Sequence, residues 1–373
     1  MRIEEVICQI LRITKVEAKT ASSQDAIIVR IRTDNGLEGV GEADASPEVV
    51  KAIIDAPFSH NVACGLRQIV LGEHPLETER LWQSMLRRTM YFGRTSVTIA
   101  AMSAIDMALW DIKGKHFGEP IHRLLGGKRV DSVQAYASIL FGRDGKETAE
   151  IGRRWVEAGY RAVKFGWEPM GTSEKVDIDL VRGAREGLGP DATLLIDAGC
   201  VWDARTALKR ARAFEQFNIG WLEEPLRPED VDGYAWLRDR SPVPIAAGEE
   251  ECGRESFRPL IDRHALDVYQ VDLSRNGFTD SSYIKSRVEE VGAKLCNHCY
   301  TSPITHAASI HWVSTLREPF LFEDCVEDSP LRHELTHEKV QAENGVIKVP
   351  DRPGLGVTIN EDFVKKYLIS ESR

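Results

Sequence analysis

Two patterns of apolar and polar positions alternate along this chain. In one, a short run of apolar residues ends on a carboxylate, as in Leu194-Leu-Ile-Asp197, Gly220-Trp-Leu-Glu223 and Ile245-Ala-Ala-Gly-Glu249. In the other, apolar residues recur at three- and four-residue steps, as Ala207, Ala211, Phe214 and Phe217 do between Arg205 and Phe217. The first pattern predicts a buried strand and the second an amphipathic helix. A strand, a loop and a helix make one βα unit, and here the unit recurs. Asp197 to Glu223 is 26 residues, and Glu223 to Glu249 is again 26.

The pattern predicts strands at Val133–Ser138, Ala162–Gly166, Thr193–Gly199, Gly220–Glu224, Pro244–Glu249, Val268–Leu273, Ala293–His298 and Phe320–Glu323. Helices are predicted at Val176–Leu188, Asp203–Phe217, Arg254–Arg263, Thr279–Val291 and Pro303–Leu316. The stretch after Ser138 begins without a helical period, so the first unit is the least regular. Eight parallel strands close a barrel, and their ends gather at one rim, where such barrels carry their active sites.

Residues 1 to 45 read instead as a β-meander. Ala26–Arg32 and Leu37–Gly41 flank Asn35-Gly36, which predicts a type I′ hairpin. Lys15 to Gln24 is polar and rich in small residues, an exposed connection or a mobile flap. From Pro47 to Leu125 the pattern is helical, with a long buried helix over Val97–Lys115. Asp106 and Asp111 lie within it and are expected to be structural, each paired with a neighbouring lysine or arginine. Pro120 and Gly126-Gly127 punctuate its end. Turns at Asn344-Gly345 and Pro350 to Gly356 suit a tail packed back on the N-terminal part. The division expected is 1–127, 128–330 and 331–373.

Length agrees with this, since 373 residues exceed one ordinary core. Hydrophobic content of 42% and charged content of 28% are those of a globular protein. A net charge of −10 without a basic block argues against nucleic acid or an anionic membrane as partner. Met1-Arg-Ile-Glu-Glu-Val lacks the apolar core of a signal peptide, and no run approaches a membrane span, so the cytoplasm is expected. The seven cysteines are odd in number and scattered, which disfavours a disulfide framework. Cys296-Asn-His-Cys299 is a lone CxxC on a predicted strand, where Cys299 would point away from Cys296 and His298. Buried free thiols are the better reading than zinc.

The polar residues at the predicted strand ends are Lys164, Asp197, Glu223, Glu249, Asp272, His298 and Glu323, with gaps of 33, 26, 26, 23, 26 and 25. Singly, each has a structural reading: His298 as a satisfied core histidine, Asp272 as a cap for the following segment. Glu224 has the opposite strand polarity and reads as a salt-bridged neighbour. Together they predict a site. Three carboxylates on adjacent strand ends repel one another unless a cation lies between them, and an all-oxygen set suits Mg²⁺. Such a cation can chelate a substrate carboxylate and stabilise the enediolate left when the α-proton departs. Asp272 beside His298 would fix the imidazole tautomer and raise its basicity. Lys164 can donate to a substrate oxygen, and Glu323 can donate or accept at the far side.

These residues resemble the enolase superfamily, in its mandelate racemase-like branch, over essentially the whole chain. Ala101-Met-Ser-Ala-Ile-Asp-Met-Ala-Leu-Trp-Asp-Ile-Lys-Gly-Lys115 with Leu124-Leu-Gly-Gly127 resembles that family's junction between cap and barrel. The resemblance implies an α/β fold: a modified (β/α)7β TIM-type barrel with an N-terminal α+β capping domain completed by the C-terminal segment. It implies that Asp197, Glu223 and Glu249 hold Mg²⁺, that Asp272 and His298 form the dyad, and that Glu323 is the late-strand acid. It implies a small-molecule carboxylate substrate and a homo-oligomer. Leu273-Ser-Arg275 stands where the muconate cycloisomerase branch has a basic lysine. Racemases of the branch carry Lys-x-Lys on the second barrel strand, whereas Lys164-Phe-Gly166 has only the first lysine. One evident base, His298, favours dehydration of a sugar acid to a 2-keto-3-deoxy acid. Racemase or epimerase, cycloisomerase, and a metal-bearing binding or scaffold protein are the alternatives. Specificity is expected in the cap, at Lys15 to Gln24 and Glu42 to Ala56.

Overall fold

A computed structural model describes residues 1–18 and 22–373. The cap sheet has the order β13-β1-β2-β3, all antiparallel: β1 is Ile3–Arg12, β2 Asp25–Thr33, β3 Glu38–Ala43 and β13 Leu368–Ser372. The C-terminus therefore supplies an edge strand to the cap. β2 and β3 join through a longer turn than the type I′ hairpin expected. Gly36 is left-handed at φ 84°, while Asn35 is not among the positive-φ residues. Thr33 N donates to Leu37 O at 3.0 Å, and Gly36 N to Thr33 O at 2.9 Å. One left-handed glycine closing a wider loop gives the chain reversal without straining the asparagine.

The long helix runs from Val97 to Phe117 and is buried on nearly every side. One side packs on the cap sheet, the other on the barrel helix that starts at Leu273. Its two aspartates fix that seam by different means. Asp111 pairs with Lys115 at 2.7 Å and also accepts from Val40 N and Leu355 N. Asp106 departs from expectation: its partners are neutral, Thr279 N at 2.9 Å and Thr279 Oγ1 at 2.6 Å. Two donors from one threonine solvate the carboxylate where a lysine would have to be buried alongside it.

Among the described residues the barrel has eight strands. They are β4 Ser132–Leu140, β5 Ala162–Gly166, β6 Thr193–Asp197, β7 Ile219–Glu223, β8 Ile245–Ala247, β9 Val268–Asp272, β10 Lys294–His298 and β11 Phe322–Cys325. They run in sequence order and in parallel from β4 to β10, with β11 parallel to β4 on the other side. The seam between β10 and β11 is bridged by side chains. Glu323 N donates to Asn297 Oδ1 at 2.9 Å, and Cys299 N to the Glu323 carboxylate at 2.6 Å. β12, Val346–Lys348, pairs with β4 from outside the barrel.

Between the described barrel strands, two helices fall where none was predicted, Gly145–Glu157 and Val231–Arg238. The first buries Gly145, Thr148, Ala149 and Gly152 against the helix Glu174–Leu188. Ala149, Ile151, Gly152, Trp155 and Val156 do recur at helical steps there, but they follow a polar opening turn, Gly145-Lys-Glu-Thr148, after a strand without helical period. The second is only eight residues long. Among the described residues no helix is long and apolar enough to cross a membrane.

Alternation along the strands sorts the barrel interior. Tyr136, Ala162, Leu195, Trp221, Ala246, Val268, Cys296 and Leu321 form its apolar plug. The intervening residues, among them Val163, Leu194, Leu222 and Tyr269, pack outward under the helices. Two residues on from the plug, the same inward face carries Lys164, Asp197, Glu223, His298 and Glu323. The period of two thus lifts the polar set to the rim at the strands' C-terminal ends.

Candidate active site

A cleft of about 210 Å³ lies over this rim. Asp197, Glu223 and Glu249 come together there, each offering an oxygen within 4.8 Å of the others. Asp197 and Glu223 end their strands, with Asp197 paired in register with Glu223. Glu249 is three residues beyond the inward Ala246, a parity that would turn it outward. Gly248 intervenes at φ 127°, a conformation that a side chain resists, and this break returns Glu249 to the cleft.

The three carboxylates are almost fully buried. Burial, then the neighbouring Glu223, pushes Asp197 up to about 7. Burial pushes Glu223 up to about 7, with Lys164 pulling against it. Glu249 is also raised by burial. Trp221 Nε1 donates to Glu223 at 2.8 Å, and Gly199 N to Asp197 at 2.9 Å. Oε2 of Glu249 is buried with no hydrogen-bond partner among the described residues. An orphaned carboxylate oxygen facing two more carboxylates fits a hard divalent cation, which needs oxygen donors and repays the cost of burying them.

Lys164 lies between Glu223, which it contacts directly, and Glu323 at 2.8 Å, with Asp197 at 3.9 Å. Burial would lower its pKa, but these carboxylates outweigh burial and hold it well above the ordinary value. Burial likewise works against Glu323, yet Lys164 and His298 hold it down to about 2. Glu323 therefore carries a charge and can accept, whereas donation would need a proton that its neighbours disfavour.

Asp272 and His298 end paired strands in register. Nδ1 of His298 is 2.6 Å from Oδ2 of Asp272. The other Asp272 oxygen accepts from Ser274 N at 2.6 Å, so Asp272 also caps the helix that follows. With Nδ1 engaged, Nε2 is the free edge, 3.6 Å from Glu249. Burial opposes protonation of His298, but Glu249, Glu323 and Asp272 prevail and raise it well above the ordinary imidazole value.

One sequence reading at the rim needs correction. Glu224 has no ion pair among the described residues. It faces Glu249 and Glu250, with Cys200 Sγ 3.5 Å away, and burial then Glu249 raise it well above a normal carboxylate. A residue one beyond the strand end is still too near the rim to find a separate cation. At Gly166 a Cβ would lie 2.7 Å from Asp197 Oδ2, so the glycine leaves space for that carboxylate.

Sequence reasoning did not single out Asp44, Glu250 and Arg275. Asp44 follows β3 of the cap, and its carboxylate lies within 4.8 Å of the donor atoms of Asp272 and His298. Arg275 joins it at 3.4 Å and Glu250 at 3.3 Å. The only signal was the cap stretch from Glu42; nothing in the spacing ties residue 44 to residue 298. At the predicted flap, Glu17 and Gln24 exchange hydrogen bonds and Ser23 donates to Glu327 at 2.7 Å. Lys19 to Ala21 lie outside the described residues.

Comparison with known proteins agrees with this fold. Residues 3–126 match the family described as mandelate racemase / muconate lactonizing enzyme, N-terminal domain. Residues 147–363 match the enolase C-terminal domain-like family. The chain is similar to the 3,6-anhydro-D-galactonate cycloisomerase of Zobellia galactanivorans, a crystal structure with 32% identity and a TM-score of 0.90, over 99% of this chain and 100% of that one. It is 31% identical to the D-galactarolactone cycloisomerase of Agrobacterium fabrum, over 91% of this chain and 90% of that protein. It is 29% identical to the arabinonate dehydratase of Saccharolobus solfataricus, over 92% and 90%.

Proposed function

The chain belongs to the mandelate racemase / muconate lactonizing enzyme family of the enolase superfamily, and from that membership we propose that it is a Mg²⁺-dependent acid-sugar dehydratase. The reaction takes the proton α to a carboxylate, expels the β-hydroxyl as water and yields a 2-keto-3-deoxy acid. The observation that carries this reading is the single base. His298 faces the cleft, Lys164 is engaged by Glu223 and Glu323, and the space beside Gly166 belongs to Asp197. A base on one face suits removal of a proton followed by loss of a β-group; racemisation needs a second base on the other face.

In this reading Asp197, Glu223 and Glu249 hold the cation. When bound, the cation supplies positive charge at the substrate carboxylate as negative charge develops there. With Glu249 engaged by the cation, the main influence that keeps a proton on His298 is removed, and its Nε2 takes the α-proton, oriented by the Nδ1–H bond to Asp272. Its imidazolium then returns that proton to the departing β-oxygen, so proton and hydroxide leave as water and the enol product ketonises. Lys164 Nζ donates to a substrate carboxylate oxygen. Glu323 holds Lys164 in place through the 2.8 Å pair and, as a carboxylate, accepts from the substrate.

The two cycloisomerase relatives favour a second reading. If the β-oxygen belongs to a ring, the same proton removal opens that ring without releasing water. Mass spectrometry of products from acid sugars and their lactones or anhydro forms, with Mg²⁺ and with chelator, separates the readings. A product lighter by one water, formed only with metal, supports the dehydratase. A product of unchanged mass supports the cycloisomerase. Exchange of the α-proton with solvent without either product would sink both in favour of an epimerase.

A further inference from the structure

We infer that the cleft selects acid sugars with a single carboxylate, and that Asp44, delivered by the cap, is the residue that excludes a second one. The inference rests on the reading of this cleft as an acid-sugar site and adds the charge class of its substrate.

The argument begins with the cations. Among the described residues, those lining the cleft are Lys164, His298 and Arg275. Each already lies between two carboxylates. Lys164 has Glu223 and Glu323, His298 has Asp272 and Glu249, and Arg275 has Asp44 and Glu250. One substrate carboxylate is accounted for at the metal-binding acids and Lys164. A second, at the far end of the molecule, would meet Arg275 with both of its acidic partners in place. An anion brought against carboxylates in a buried cleft is strongly disfavoured.

Hydroxyl groups meet the opposite situation. Asp44 and Glu250 are acceptors, held by Arg275 at 3.4 and 3.3 Å, and each carboxylate has lone pairs to spare. A neutral polyol end can donate to them; a carboxylate end cannot. Position adds to chemistry. Asp44 is buried against the dyad, although it belongs to the cap. Glu42, two residues earlier, anchors this end of β3 to the barrel. It accepts from Ser302 at 2.7 Å and Thr305 at 2.6 Å, on the segment just after His298. Asp44 is thus held at a fixed height over the dyad.

The test compares matched pairs on the Mg²⁺-loaded wild-type protein: D-gluconate with D-glucarate, D-galactonate with galactarate, and D-xylonate with xylarate. Affinity is read from ligand-induced thermal shifts, and turnover from formation of 2-keto product. The tightest aldonate is expected to bind at least about 100-fold more tightly than its own aldarate. In Asp44→Asn the aldonate should weaken and the aldarate strengthen, narrowing that gap at least about tenfold. Glu250→Gln should move it in the same direction and serves if Asp44→Asn folds poorly. An aldarate that binds as well as the best aldonate overturns the inference. So does an unchanged gap in both variants, or failure of every aldonate to bind. Selective aldonate binding without loss of water would leave the inference standing and remove the dehydratase reading instead.

Discussion

Two groups of buried acids in this protein are alike in exposure and unlike in company. At the seam between cap and barrel, Asp111 and Asp106 are fully buried, and each is surrounded by donors. Asp111 has Lys115 and two backbone amides, and Asp106 has the amide and hydroxyl of Thr279. At the rim, Asp197, Glu223 and Glu249 face one another, and Glu249 keeps an oxygen without a partner. Saturated acids hold parts together. Acids that face acids store repulsion that only a cation relieves, and that mark of function is physical rather than positional. Glu42 stands between the two groups: Ser302 and Thr305 saturate one oxygen, while the other is buried without a hydrogen bond.

The contrast can be broken by substitution. The largest effect is expected at the dyad that the rim acids serve. His298→Asn should lower kcat by about 10²–10⁴-fold, with Mg²⁺ affinity and melting temperature near wild type. Proton exchange at the wild-type rate in that variant would place the base elsewhere, with Lys164 next in line. At the triad, Glu223→Gln should weaken Mg²⁺ binding by at least roughly tenfold, since one of three anionic ligands is lost. Titration calorimetry reads this directly, and full affinity would remove Glu223 from the ligand set.

Seam acids should behave in the opposite way. Asp106→Ala leaves the Thr279 amide and hydroxyl buried without an acceptor and should cost about 2–4 kcal/mol of stability. Denaturant unfolding measures the loss, while kcat per folded molecule should stay within about twofold of wild type. A selective loss of kcat with unchanged stability would move Asp106 into the functional group.

Glu42 gives the smallest and most specific effect. Burial raises its carboxyl to about 7 from 4.5, against the bonds from Thr305 and Ser302. Between those two values the folded state binds more protons than the unfolded state. Stability contributed at this site is therefore present below the unfolded value and lost as pH rises through the window. Glu42→Gln lacks that titration. Its stability relative to wild type should improve by about 1–3 kcal/mol between pH 4 and pH 8. A flat difference across that range would show that folding does not change the proton affinity of Glu42.

Much of this molecule could be read from the chain alone, because its information is local and repeated. A strand buried on both faces must be a short apolar run, and its first polar residue must fall where the strand leaves the core. The spacing of Asp197, Glu223 and Glu249, and the succession of Asp272 and His298, therefore follow from the βα period. Other features were not legible because they depend on what comes near from elsewhere. Helix Gly145–Glu157 packs its first turns through Gly145, Thr148, Ala149 and Gly152, small residues whose fit depends on the helix they meet. Glu249 reaches the cleft only because Gly248 reverses the strand's parity. Glu224 reads as half of an ion pair until the fold surrounds it with acids. Asp44 stands more than two hundred residues from His298, and only cap docking, through Glu42 on Ser302 and Thr305, puts them together. Alternation and period were set by the sequence itself, since each residue's face depends on its near neighbours. The electrostatic company of each acid was decided by tertiary structure, because charge acts through space and takes no account of distance along the chain.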